Sequence, residues 1–165
     1  MPEATHVPSA TETLPEWDLS DLYRAPDAPE VEADFTRADQ QARAFATAYA
    51  GKLADLPGAA LATAIAEYEK IEEILGRLLS YAQLLFAGDS SSATIGRFYQ
   101  SVNERATTIS SHLLFFTLEL NRLEDAVLEA KLADPDLARW RPWLRDLRVF
   151  RPHQLSDELE KLLHE

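Results

Sequence analysis

The chain has 165 residues, 46% of them hydrophobic, which suffices for one domain with a real core and excludes a disordered or fibrous protein. Its net charge of −12 argues against nucleic acid and anionic membrane surfaces as partners, because both select basic patches. It has no cysteine, which excludes disulfides, thiol chemistry and cysteine zinc sites.

Met1-Pro2-Glu3 opens a polar stretch without the apolar run of a signal peptide, and no segment is apolar enough for long enough to span a bilayer, so a cytoplasmic protein is expected. Residues 1–13 hold Thr, Glu, Pro, Ser and Ala and read as a flexible tail. The next stretch, 14–25, is too apolar for a free tail. It reads as an extended strap laid across a helical surface, with Trp17, Leu19, Leu22 and Tyr23 as structural anchors. A ligand-binding aromatic is the other reading of the same residues. From residue 26 to 165 the pattern is that of an all-α helical lobe. Asp27 is a candidate cap and Pro29 suits a first turn. Val31, Phe35, Ala38, Ala42, Phe45 and Tyr49 follow in helical steps, and Gly51 sits where a helix stop is expected. A second helix is expected from about Ala59 to Ala87. Leu61, Ile65, Tyr68, Ile71, Leu75, Leu78, Ala82 and Leu85 line one face, and Ile74, Leu79, Tyr81 and Phe86 a second, so neighbours are expected on both sides. Gly76 within it suggests close approach of another helix.

The spacing then predicts one helix, or two nearly collinear ones, over Ala93–Ala133, with Asp89 to Ser92 offering capping oxygens and Asp134-Pro135 the stop. At about 1.5 Å per residue it would run on the order of 60 Å. A globule of this chain length, with a radius of gyration of about 15 Å, is only about 40 Å across. The helix must therefore bend, most readily at Thr107–Ser111, or project as an arm. The fold expected is an elongated hairpin or bundle of long antiparallel helices, with shorter helices after residue 135. Arg139, Arg141, Arg145, Arg148 and Arg151 form a basic patch read as a solvated face paired with local carboxylates, an anion site being the other reading. Ser156 opens a last helix whose Leu159, Leu162 and Leu163 begin an apolar face, and the lobe looks truncated at its C-terminus.

None of the four histidines, His6, His112, His153 and His164, pairs with another at helical spacing. The His-Glu-x-x-His zinc helix and the Glu-x-x-His pairs of di-iron bundles are absent. His112 leads into Leu113, Leu114, Phe115 and Phe116, which suits a core or boundary histidine better than a phosphotransfer site. Glu72-Glu73 and Glu124-Asp125 are sequence neighbours and read as solvated-face residues. The residues alone give no catalytic, metal-binding or cofactor-binding set.

Four stretches together resemble one family. Trp17-Asp18-Leu19-Ser20-Asp21-Leu22-Tyr23 is similar to the opening of oligoendopeptidase F, a thimet-oligopeptidase-type zinc metallopeptidase. Leu78-Leu79-Ser80-Tyr81-Ala82-Gln83-Leu84 with Asp89 resembles its second segment, and Phe115-Phe116-Thr117-Leu118-Glu119-Leu120 its Phe-Phe-x-x-Glu-Leu stretch. Arg151-Pro152-His153-Gln154-Leu155-Ser156 is similar to the His-x-Leu-Ser segment before a Leu-rich helix. The resemblance implies a parent hydrolase in which zinc-activated water attacks a peptide carbonyl. The zinc ligands of that family lie downstream of the part matched, so none carries over onto a residue here. What it implies for this chain is a helical lobe bordering a channel for short peptides, with a C-terminal catalytic domain as partner and self-association through an uncovered apolar face. The other reading is a free-standing helical-bundle interaction module.

Overall fold

The computed structural model describes residues 17–164. The expected tail, residues 1–13, lies outside that range, as do residues 14–16 of the strap. Among the described residues the fold is all-α, with seven α-helices and two short 3-10 segments.

The first helix, α1, spans Pro29–Tyr49 and buries Val31, Phe35, Ala38, Ala42 and Phe45 on one stripe. Pro29 fits the first turn because its missing N–H would have no helical partner there. Asp27 does not cap: Ala28 holds the cap position in extended conformation, with Asp27 in the turn that closes from the Ala28 N–H to the Ala25 carbonyl. Gly51 follows with φ +75°, a conformation that favours glycine.

Helix α2, Gly58–Gly88, is packed by α1 on one side and α3 on the other, which explains its two apolar faces. A Cβ on Gly58 would fall 2.5 Å from Cβ of Asp134 and 2.7 Å from the Lys131 carbonyl oxygen, so this glycine lets two chain segments touch. Gly76 differs from expectation. Nothing lies within 4 Å of a Cβ built there, so it faces open space and not a neighbouring helix.

Ser92 caps α3, Ala93–Ser110, by accepting from the Ile95 N–H at 3.4 Å. The chain folds back along α2, stacking Phe86 on Tyr99 (4.9 Å between ring centroids) and setting Tyr81 edge-on to Phe98. The expected rod to Ala133 does not form. It breaks first at Ser111–Leu113, where the Ser110 and Ser111 hydroxyls donate back to the carbonyls of Thr107 and Thr108, and where His112 and Leu113 make three-residue backbone bonds. Helix α4, Leu114–Arg122, stops at a second break, Leu123–Glu124. Here Arg148 donates to the carbonyls of Leu120 and Leu123, both at 2.8 Å, and so caps the helix end from a distant element. Helix α5 is Asp125–Leu132. Breakage, and not projection, resolves the mismatch between rod and globule.

A 3-10 segment, Pro135–Trp140, leads directly into α6, Arg141–Arg148, with Pro142 in its first turn. Leu137, Trp140 and Leu144 are buried from these pieces, the first two elements packing on α2 and α5 or on α4. A second 3-10 turn, Arg151–His153, precedes α7, Asp157–His164, which touches α4 and has no buried residue.

In the strap, Asp18 Oδ1 accepts from the Ser20 N–H at 2.9 Å, and the N–H groups of Leu22 and Tyr23 bond to the Leu19 carbonyl. This turn sends Tyr23 into the core and leaves Leu19 and Leu22 partly buried against it. Trp17 departs from the expected anchoring role. It precedes the turn and is 87% exposed.

Candidate functional site

Helices α2 and α3 diverge enough, with the start of α4, to leave a groove of about 430 Å³. Its floor is apolar, made by Leu75, Leu79, Ala106 and Leu113. Its rim is polar, with Glu72, Asn103, Ser110 and Thr117. His164 of α7 closes one end, its Nε2 2.9 Å from Ser110 Oγ. Gly76 contributes no side chain, and its open surroundings are part of the groove.

Two titratable groups mark the groove. Partial shielding raises the Glu72 carboxyl above its ordinary range, although the residue as a whole is exposed. Burial also raises the Tyr68 phenol, and the nearby Glu72 charge adds to that. Tyr68 belongs to an aromatic cluster with Phe45, Phe116 and Trp143 that joins α1, α2, α4 and α6. One face of this ring is thus fixed by packing. Glu72 is exposed, as the solvated-face reading expects, but its carboxyl is partly shielded where it borders the groove. The signal that could have found it is its helix neighbours at three and four positions, Tyr68, Glu69, Leu75 and Gly76, which include no cation.

A buried polar network lies on the other side of α2. Asp34, 5% exposed, accepts from Tyr23 Oη at 2.6 Å and from Arg37 and Arg77, both at 2.5 Å. Burial, then the hydrogen bond to Asp34, raises the Tyr23 phenol well above its usual range. Tyr23 also stands edge-on to Tyr81 at 5.2 Å. The strap, α1 and α2 therefore share one carboxylate. Its polar demands are met internally, so the network positions the strap.

Among the described residues, no group of three or more His, Asp or Glu side chains converges in a way that could hold a metal ion. They therefore do not fit the zinc that the resemblance implies for a parent enzyme. His164 engages Ser110, and no helix here is long and apolar enough to cross a membrane.

Residues 119–165 match the family model described as Oligopeptidase F, which covers the N-terminal region of M3 peptidases. This segment is similar to the N-terminal region of oligopeptidase F. No curated protein and no solved structure matches the chain.

The matched segment is tied into the rest of the bundle by its charged residues. Glu119 accepts from the N–H groups of Gly51 at 2.6 Å and Leu53 at 3.5 Å, holding the connection between α1 and α2. Lys131, 9% exposed, donates to the carbonyls of Ala54, at 2.8 Å, and Leu56 in the same connection. The arginines of the basic patch are all occupied. Arg139 pairs with Glu69, Arg141 with Glu129, Arg145 with Asp146, and Arg148 and Arg151 with Asp125. Arg148 departs from a solvated face, since its side chain is only 12% exposed. Its hydrogen bond, with further help from Arg151, lowers the Asp125 carboxyl. Gln154 donates to the Leu118 carbonyl at 3.3 Å, and its own Oε1 is buried without a partner. In the matched segment, Glu119, Lys131, Arg148 and Gln154 thus serve as clasps between elements. The signal for a clasp was present as isolated charges in apolar surroundings, but the partner lies far along the chain.

Proposed function

We propose that this chain is the N-terminal helical lobe of an oligoendopeptidase F-like zinc metallopeptidase. In this reading it borders the channel that admits short peptides, in the cytoplasm, and the zinc ligands and catalytic residues belong to a C-terminal catalytic domain outside these residues. The observation that carries it is the oligopeptidase F match over residues 119–165. Support comes from the surface that segment presents. Val149, Phe150, Leu162 and Leu163 are each 65–72% exposed, and α7 buries none of its residues. Three leucines on a helix this short, all facing water, fit a helix made to pack against another domain.

The test is a peptidase assay on the purified chain with quenched fluorescent oligopeptides, with and without added zinc. No turnover is expected. Turnover that a chelator abolishes would overturn the assignment of the chemistry to another domain. A free-standing interaction module is the second reading, favoured by the closed core of α1 to α6. It requires the α7 surface to stay monomeric and to leave a hydrophobic dye dark, whereas the lobe reading expects dye binding.

A further inference from the structure

Helix α7 is docked inside out. Asp157 pairs with Arg122, Glu160 is the one partly buried residue of the helix, and His164 Nε2 lies 2.9 Å from Ser110 Oγ. Spaced by three and four, these residues form one stripe, and that stripe is polar. Leu159, Leu162 and Leu163 make the opposite stripe and are 48–72% exposed. The seat is weak as well as inverted. Both polar contacts lie at the surface, where such contacts hold little. At the root of the segment, Gln154 donates to the Leu118 carbonyl, yet its Oε1 is buried without a partner. A buried acceptor left unmatched counts against this position, and leucine surface still open to burial counts for another. A place for that surface adjoins the helix. The groove floor of Leu75, Leu79, Ala106 and Leu113 is apolar and open at Gly76, and His164 already stands at its end. Gln154 to Ser156, in no regular structure, lead into α7 and supply the joint.

We propose that α7 has two positions on this bundle. Held by Arg122 and Ser110, it turns its leucines outward. Released, it rolls by about half a turn and lays Leu162 and Leu163 on the groove floor. Both leucines belong to the same turn as His164, so the roll brings them to the groove while the helix stays beside α4. The polar stripe then faces water, where Asp157, Glu160 and His164 keep their solvation. The two polar contacts are thus the catch of a lid, and they act against the burial of leucine instead of adding to it. The inference stands on the geometry of this chain and is independent of the peptidase reading.

The chain has no cysteine, so two introduced thiols report on each other alone. Gly76→Cys with Leu162→Cys puts one thiol in the groove and one on the leucine stripe. Gly76→Cys with Glu160→Cys moves the second thiol to the polar stripe. The experiment oxidises dilute protein mildly and follows bridging within one chain, with melting curves to establish that each variant is folded. Adding Arg122→Gln and Ser110→Ala should speed the Leu162 pair about tenfold, the order that two exposed polar contacts hold back, and leave the Glu160 pair no faster. Equal acceleration of both pairs would show α7 merely fraying and would overturn the proposal. No acceleration, or bridges only between chains, would overturn it too. In the chain without added thiols, the same two substitutions should lower the fluorescence of a hydrophobic dye, because leucines leave the surface, and a rise would count as refutation.

Discussion

Asp34 shows how one side chain can organise three segments. It lies on the same stripe of α1 as Val31, Phe35 and Ala38, so periodicity places it inward, yet a carboxylate there is tolerable only with donors. Two of them, Tyr23 and Arg77, come from the strap and from α2, which is why a reading along the chain passes over it. Asp34→Ala should cost about 1–3 kcal/mol in urea unfolding, because it leaves the buried Tyr23 hydroxyl without its acceptor, while Arg37 and Arg77 keep solvent access. Tyr23→Phe removes a single bond and should cost about 1 kcal/mol. Glu72 has the opposite character. Its carboxyl is raised in the folded chain, so the protonated form is favoured there, and its effect on stability worsens as pH rises through the folded value. Glu72→Gln should therefore raise the melting temperature at pH 7, and the gain should vanish well below the ordinary value of 4.5, where both forms are neutral. Melting curves across that pH range check the sign.

At the scale of elements, the helices were legible wherever a single stripe of apolar residues met a stop signal. Helix α1 and the Gly51 turn follow from that pattern, as does the two-faced α2. The rod over Ala93–Ala133 bends where the hydroxyls of Thr107–Ser111 suggested, but its second break was missed because apolar spacing continues across it. What ends α3 is a cluster of hydroxyls, and what ends α4 is Arg148, which sits 25 residues beyond Leu123 and leaves no local trace. The groove was missed for a related reason: open space at Gly76 is a property of neighbouring helices, and sequence reports only that a side chain is absent. Three glycines separate these effects. Gly51→Ala should cost about 1 kcal/mol from its positive φ alone, since nothing crowds a Cβ there. Gly58→Ala should cost about 1–3 kcal/mol by forcing α2 off the Lys131–Asp134 backbone. Gly76→Ala should stabilise by up to about 1 kcal/mol, as the helix gains propensity at no steric cost. Chemical denaturation of the three variants in parallel tests the ordering.

At the scale of the whole molecule, composition and periodicity established an all-α fold, and the last stretch carried the family likeness that residues 119–165 bear out. The site was far less legible, because clasps and grooves depend on residues brought together from separate helices. The exposed leucines of α7 lead to a bulk property. The chain should self-associate in sedimentation at rising concentration, and Leu162→Gln with Leu163→Gln should abolish this while changing unfolding stability by less than about 0.5 kcal/mol. Glu119 and Lys131 have a consequence for any chimera made from this protein. Both reach out of their own segment to grip the short connection over residues 51–56, one through its amides and the other through its carbonyls. Transplanted into a foreign scaffold, residues 119–164 would arrive with an anion and a cation seeking a loop of that shape, so the two pieces are exchangeable only as a single cassette.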